Sequence, residues 1–446
     1  MHSHPRLFLL FVQATIVVLC ASMLFSIAPM SASAVTTTTV TKNATTSKVP
    51  TVKTIKKKAK VAKATSVKAA AQPFEITGWI PYWRTATGTM DVLPHLAQLK
   101  RVNPFGYTVK LDGSLYDASK LEQPGVWDEF IARAHATKTQ IVPSVMWSDT
   151  ASIANILGDP IARAKHEDAI VAMLTRNNFD GVDIDYEGKL ASSRDDYSAF
   201  LKELAVKLTP TNKLLTCTIE SRTPPESLYK VIPADLEYAN DYKEINKYCD
   251  RVVLMTYDQQ SADIKLNKAS DGLYSPVSDP LWVAKVVNFA AKDISKSKII
   301  VGIPTYGYIY QVTPWDDGTG YHYDLTEAFN PRYATELATT LNITPVRNRA
   351  GELSFTYIEQ ATSTSSSTPS VTSYAPSGTD TGLLAALGAT QLAKTNGVQT
   401  PFTMLWWSDA KAVSDKVKLA KSLGVRGVAV FKFDSGEDQG IWNVLK

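Results

Sequence analysis

The eleven residues from Phe179 to Lys189, FDGVDIDYEGK, hold four acids, and three of them, Asp183, Asp185 and Glu187, recur at strict two-residue spacing. Val182, Ile184 and Tyr186 alternate with these three. Such alternation is the pattern of a β-strand, on which every second side chain shares a face. Three carboxylates on one face repel one another, and burying them is costly unless protonation or hydrogen bonding relieves the charge. The cost has a chemical use. A carboxyl group beside another carboxylate resists ionisation and keeps a proton ready for a leaving group. Glu187, last of the three, is the expected proton donor. Two other readings fit these residues taken alone: a metal site, and a solvated edge strand with an acidic face. The six histidines (His2, His4, His95, His135, His166, His322) form no pair at ligand spacing, which weakens the metal reading. Neither a metal nor a cofactor is expected.

The strand needs a frame. Eight short apolar runs punctuate the chain: FEITGWIPYW, PFGYTVKL, TQIVPSVMW, FDGVDIDYE, KLLTCTIE, DRVVLMTYD, SKIIVGIPTYGY and VRGVAVFKFD. Amphipathic stretches with helical period lie between several of them, among them HEDAIVAMLTRN and RDDYSAFLKELAVKL. Strands alternating with helices predict parallel strands joined by right-handed crossovers, and eight such units predict a (β/α)8 (TIM) barrel. The acidic run is then the fourth strand. Its apolar alternates would pack on the helices, and its acids would face the barrel interior, climbing roughly 6.5–7 Å per pair toward the C-terminal mouth. More than 100 residues separate the seventh and eighth runs. A small α+β insertion is therefore expected at about 311–400, with TPVRNRAG and LSFTYIEQ as candidate strands and ATSTSSSTPS as a loop.

The chain has 446 residues, 44% hydrophobic and 20% charged, enough for a large core. Its net charge of +4 hides a split. Residues 1–72 carry Arg6, nine lysines and no acid, which leaves 37 basic against 43 acidic residues in the remainder. A mildly acidic domain argues against nucleic-acid binding. Arg6, the apolar run Leu7–Ala28 and the small residues Ala32-Ser33-Ala34 read as an export signal over 1–34, either cleaved or retained as a membrane anchor. Leu19 before Cys20 does not suit lipidation. Residues 35–72, rich in Lys, Thr and Ala, read as a disordered tether, a plain linker or a basic arm toward an anionic wall or membrane surface. The domain proper is expected at 73–446, exported and monomeric. Cys217 and Cys249 can pair, but two cysteines in so long a domain make no disulfide scaffold, and buried thiols are expected.

The stretch Asp180–Glu187, DGVDIDYE, resembles the signature of family 18 glycoside hydrolases, the chitinase-type barrels. Other segments agree in order: DRVVLMTYD is similar to the family's sixth strand, KIIVGIPTYGY to the seventh and GVAVFKFDSGED to the eighth. GYTVKLDGSLYD is similar to a bacterial branch acting on cell walls and spore cortex. The resemblance implies a retaining, substrate-assisted hydrolase of β-1,4-linked N-acetylglucosamine polymers, chitin or peptidoglycan. Glu187 would be the acid/base. Asp185 would orient the substrate's acetamido group, Asp183 would support it, and Tyr257 would hydrogen-bond the acetamido carbonyl. Met255, Asp258, Tyr82, Trp147 and Tyr306 would line the sugar cleft. Phe431 stands where the family usually has Trp as the floor of the site, a smaller ring without the indole donor. The alternative is a non-catalytic, lectin-type barrel. Such relatives typically lose the acid, and here Glu187 is in place.

Overall fold

The computed structural model describes residues 73–358 and 381–446. The expected leader (1–34), the tether (35–72) and the loop ATSTSSSTPS lie outside the described residues. Eight parallel strands of a ten-stranded sheet form the barrel: β1 (Glu75–Pro81), β2 (Arg101–Val109), β3 (Ser144–Trp147), β4 (Gly181–Tyr186), β5 (Leu214–Glu220), β6 (Arg251–Met255), β7 (Ile299–Pro304) and β8 (Gly427–Phe431). Each pairs with the next, and β1 pairs with β8, so the sheet closes into a (β/α)8 barrel. All eight apolar runs supply a barrel strand.

Crossover helices start where the sequence offers caps. Asp159 and Asp279 each precede a proline, and their carboxylates accept from the amides of Ile161 (2.8 Å) and Leu281 (2.7 Å). The helix Ala410–Leu423 is capped by Asp409 and stops at Gly424, whose φ of 69° is left-handed. Tyr186 shows why the apolar face of β4 points outward. Its ring stacks on Phe200, 5.4 Å between centroids, and its hydroxyl meets Nε2 of His166. Because His166 Nδ1 donates to the Gly113 carbonyl (2.6 Å), Nε2 must accept from Tyr186.

Inside the barrel, strand register stacks the inward side chains in layers. At the N-terminal end Glu75, 2% exposed, faces three arginines: Arg251 and Arg426 at 2.7 Å and Arg101 at 3.4 Å. Burial alone would raise its pKa, but the hydrogen bond from Arg251 and the charges of Arg101 and Arg251 win and lower it to about 2. Above this lies an apolar layer of Trp79, Val253, Ile300 and Ala429. The acids of β4 rise past that layer toward the mouth.

Between β7 and β8 the chain builds a five-stranded antiparallel sheet, in the order Tyr321–Phe329, Gly307–Pro314, Phe402–Trp407, Leu353–Tyr357, Val346–Arg347. The helices Pro331–Thr340 and Leu384–Asn396 belong to the same insertion. The insertion sheet starts four residues before the expected boundary and its last strand ends at Trp407. KIIVGIPTYGY reads as one strand, yet barrel pairing stops at Pro304 and Gly307 already pairs with Phe329 and Trp407. The insertion is tied down by Glu352, fully buried, which accepts from Trp406 Nε1 (2.7 Å), Lys416 Nζ (3.2 Å) and the amides of Val277 and Ser278 (2.9 and 3.1 Å).

One expectation fails. Cys217 and Cys249 are joined in a disulfide rather than held as two thiols. Cys217 lies on the outward face of β5, and the short helix Tyr242–Tyr248 delivers Cys249 beside it, with Cα atoms 6.0 Å apart. Only the β5–β6 pairing brings two residues 32 positions apart into reach.

Replacing Glu75 by Gln should cost about 3–5 kcal/mol in urea unfolding, because buried Arg101 loses its counter-charge. Since the Glu75 pKa is depressed in the fold, its contribution is fully present above the ordinary carboxylate range and lost as pH falls toward about 2. The stability gap between wild type and E75Q should therefore narrow on acidification. Paired Cys217→Ser and Cys249→Ser substitutions should lower stability by about 3–4 kcal/mol, the loop-closure estimate for this separation.

Candidate active site

Asp183, Asp185 and Glu187 sit at three heights on one side of β4. Asp183 is fully buried and fully partnered: Ser144 Oγ donates to it at 2.5 Å, Thr218 Oγ1 at 2.8 Å and Trp79 Nε1 at 3.2 Å. Those donors come from β3, β5 and β1, so this carboxyl group exists in the barrel only because neighbouring strands supply them. Burial still raises its pKa, against the pull of those hydrogen bonds and of Arg101.

Asp185 is different. It is 4% exposed, and its Oδ1 has no hydrogen-bond partner among the described residues. Burial, and after it the charges of Glu187 and Asp183, hold its pKa well above the usual carboxylate range. Glu187 tops the ladder, half-buried, its amide donating to the Trp147 carbonyl at 2.8 Å. Burial first, then repulsion from Glu220 and Asp258, raise its pKa to about 7, with Lys189 opposing. The repulsion expected along the strand acts on Asp185. At Glu187 it comes from other strands.

A cavity of about 100 Å³ opens over the ladder. Asp185, Glu187 and Asp258 supply its acids, Met255 one wall, and Trp79, Phe105, Tyr257 and Phe431 its rings. Phe431 stacks on Tyr257 with centroids 5.5 Å apart and meets Trp79 and Phe105 edge-on at 5.7 and 5.6 Å. Gly302 makes room for Tyr257: a Cβ there would lie 2.7 Å from that ring and 2.6 Å from the Leu254 carbonyl. Asp258, in the left-handed region at φ 56°, accepts from the hydroxyls of Tyr306 and, at 2.5 Å, Tyr308. Burial raises its pKa despite both bonds. Among the described residues no group of three or more His, Cys, Asp or Glu side chains is arranged to hold a metal ion.

Of the residues singled out from sequence, Asp185, Glu187, Met255, Tyr257, Asp258 and Phe431 line this cavity, with Asp183 beneath it and Tyr306 behind Asp258. Two expectations need correction. Trp147 pairs in register with Tyr186, not with Asp185, so it faces the helices, where its Nε1 donates to Ser152 Oγ at 2.9 Å. Met146 holds the inward place beside Asp185. Tyr82 lines a separate cleft of about 310 Å³ with Ser119, Lys120 and Trp127, which contains none of the acids. Trp79 and Phe105 were missed as site residues, although period-two alternation on β1 and β2 would have put them inside. Tyr308, Glu220 and Lys189 carried no signal, because their partners lie on other strands.

A (β/α)8 barrel whose C-terminal mouth gathers buried acids among aromatic rings has the make-up of a glycosidase. The chain belongs to the glycosyl hydrolases family 18, whose sequence profile matches residues 83–436. It is similar to the uncharacterized glycosylase YvbX of Bacillus subtilis, 19% identical over 65% of this chain and 67% of that one. Four further curated relatives are matched over 27–54% of their own length. Among solved structures, the spore cortex-lytic enzyme SleL of Bacillus megaterium superposes with a TM-score of 0.60 at 20% identity, over 84% of this chain and 74% of that one. A class V chitinase from Pseudomonas fluorescens gives 0.61 at 19% identity, over 84% and 98%. At such identities the structural likeness establishes the fold.

The position of Trp147 is directly testable. W147F should lower the thermal midpoint, through the lost Ser152 bond and looser packing on Tyr186 and His166, while leaving KM for a soluble oligosaccharide unchanged.

Proposed function

We propose that the protein hydrolyses a β-1,4-linked polymer containing N-acetylglucosamine, with retention and with the substrate's own acetamido group as nucleophile. One observation carries this reading: Glu187, its pKa raised by burial to about 7, stands at the rim of a cavity into which Asp185, with Oδ1 unpartnered, also faces. Glu187 would protonate the glycosidic oxygen as the C1–O bond breaks, and the acetamido oxygen would bond to C1. The ring so formed is cationic. A carboxyl group that burial and its acidic neighbours keep from ionising ionises more readily beside that cation, so Asp185 would bind the transition state better than the ground state. The Tyr257 hydroxyl would donate to the acetamido oxygen. Water, deprotonated by Glu187, would then attack C1 from the face the leaving group vacated as the bond from C1 to the acetamido oxygen breaks, which restores the acetamido group, the proton on Glu187 and the original configuration.

The names borne by SleL and the Pseudomonas chitinase support N-acetylglucosamine polymers as the substrate class. Chitin and peptidoglycan both qualify, and the lysines of 35–72 favour an anionic wall. Export is part of the proposal, since a buried disulfide between Cys217 and Cys249 suits an oxidising compartment and Leu7–Ala28 suits a leader or anchor.

Wild type and E187Q, incubated with chitin oligosaccharides and with peptidoglycan, should differ by at least about 100-fold in cleavage rate, the ordinary contribution of a general acid. Products read by mass spectrometry would name the polymer. Because Glu187 must carry its proton to act, activity should fall as pH rises through about 7. Binding without cleavage by both proteins would instead fit a carbohydrate-binding barrel.

A further inference from the structure

Just past Glu187 the chain turns at Gly188, φ 65°, and the next side chain folds back under the acid. Lys189 has a fully buried side chain: its ammonium meets the Tyr186 carbonyl, lies 3.3 Å from Glu220 Oε2 and sits 4.8 Å over the Tyr197 ring. Glu220, at the end of β5, closes the turn from the other side. Its Oε1 accepts from the Gly188 amide at 2.8 Å and its Oε2 from Asn240 Nδ2 at 2.9 Å. Thr150 Oγ1 donates to the Gly188 carbonyl at 2.7 Å, so the turn is pinned from β5 and from the segment after β3.

A buried ammonium is costly without a counter-charge, and none of these contacts is needed to close the barrel. Their common effect falls on the side chain one residue earlier. We propose that Glu220 and Lys189 are a positioning pair for Glu187: together they fix the turn that carries the acid and set the charges around it. The proposal rests on Glu187 being the proton donor. Neither residue touches the cavity itself, so both act through Glu187.

The titratable groups facing Glu187 are Asp185 below it on β4, Lys189 from its own turn, Glu220 from β5, and Tyr257 and Asp258 from the end of β6. Glu220 repels the ionised form of Glu187, and Lys189 stabilises it. For Glu220 itself, burial pushes the pKa up, but Lys189, Asn240 and the Gly188 amide hold it below the usual range, so it stays charged where Glu187 is not. Two neighbouring acids are thereby biased in opposite directions, Glu220 toward its charged form and Glu187 toward its protonated one.

The signs follow. Removing the charge of Glu220 eases ionisation of Glu187, so the alkaline limb of the kcat/KM profile moves to lower pH. Removing the charge of Lys189 hinders ionisation, and the limb moves to higher pH.

The experiment measures kcat/KM against pH on a chitin tetrasaccharide and a peptidoglycan fragment for the full chain, E220Q, K189M, the double variant and E187Q. The expected result is a shift of roughly one pH unit downward for E220Q and upward for K189M, with the double variant near wild type. E220D, which keeps the charge, should keep the wild-type limb. Thermal midpoints separate these effects from misfolding. Uniformly reduced rates with unmoved limbs, or limbs that move in the same direction, would overturn the pairing while leaving E187Q inactive. Full activity in E187Q would overturn the acid assignment instead.

Discussion

Three carboxylates on the inner face of one strand are the constraint around which this barrel is arranged. Water is excluded from the interior, so each acid must find donors, a counter-charge or a proton. Asp183 takes hydrogen bonds from three strands, and its environment is complete. Asp185 is left with an unpartnered oxygen and Glu187 among like charges, and burial raises the pKa of both. Completeness falls from the core to the mouth. What the upper acids lack in protein partners is what a substrate can supply.

The two ends of the barrel treat buried acids in opposite ways. At the N-terminal end Glu75 is surrounded by three arginines and kept ionised, a cluster that joins β1, β2, β6 and the residue before β8. Near the C-terminal mouth the nearest cation, Lys189, is largely committed to Glu220 and a carbonyl. A local energetic cost at Asp185 persists because the rest of the closed sheet holds β4 in register.

The insertion reaches the same site by a different route. Glu352 binds it to Lys416 on the last crossover helix and to the backbone between β6 and the helix Pro280–Ala290. The chain leaving β7 therefore departs at a fixed angle, and Tyr306 and Tyr308 converge on Asp258. That contact keeps a third acid, with its left-handed backbone, beside Glu187. The aromatic cluster around Phe431 depends on the same geometry, since Tyr306 meets it edge-on at 6.1 Å. Phe431 itself takes part in four ring contacts here, so a smaller ring than tryptophan still closes the cavity floor.

The sequence by itself determined the period-two alternation of β4, the eight strand–helix units, and hence the barrel, the inward acids and the outward Tyr186. These are local properties, because side-chain direction on a strand depends on parity alone. Parity also bears on Trp79 and Phe105, both inside, and on Trp147, which lies outside because β3 pairs Trp147 with Tyr186. For Trp147, at the end of a short strand, the face followed only from the register with β4. Tertiary structure alone decided the rest: the Cys217–Cys249 disulfide, Glu352 with Lys416, and Glu220 with Lys189. Each joins residues that share no periodicity and meet only when the sheet closes. The charge that governs Glu187 belongs to that set. An acid's proton is held by whatever lies within a few ångströms of it, and in a barrel most of that comes from other strands.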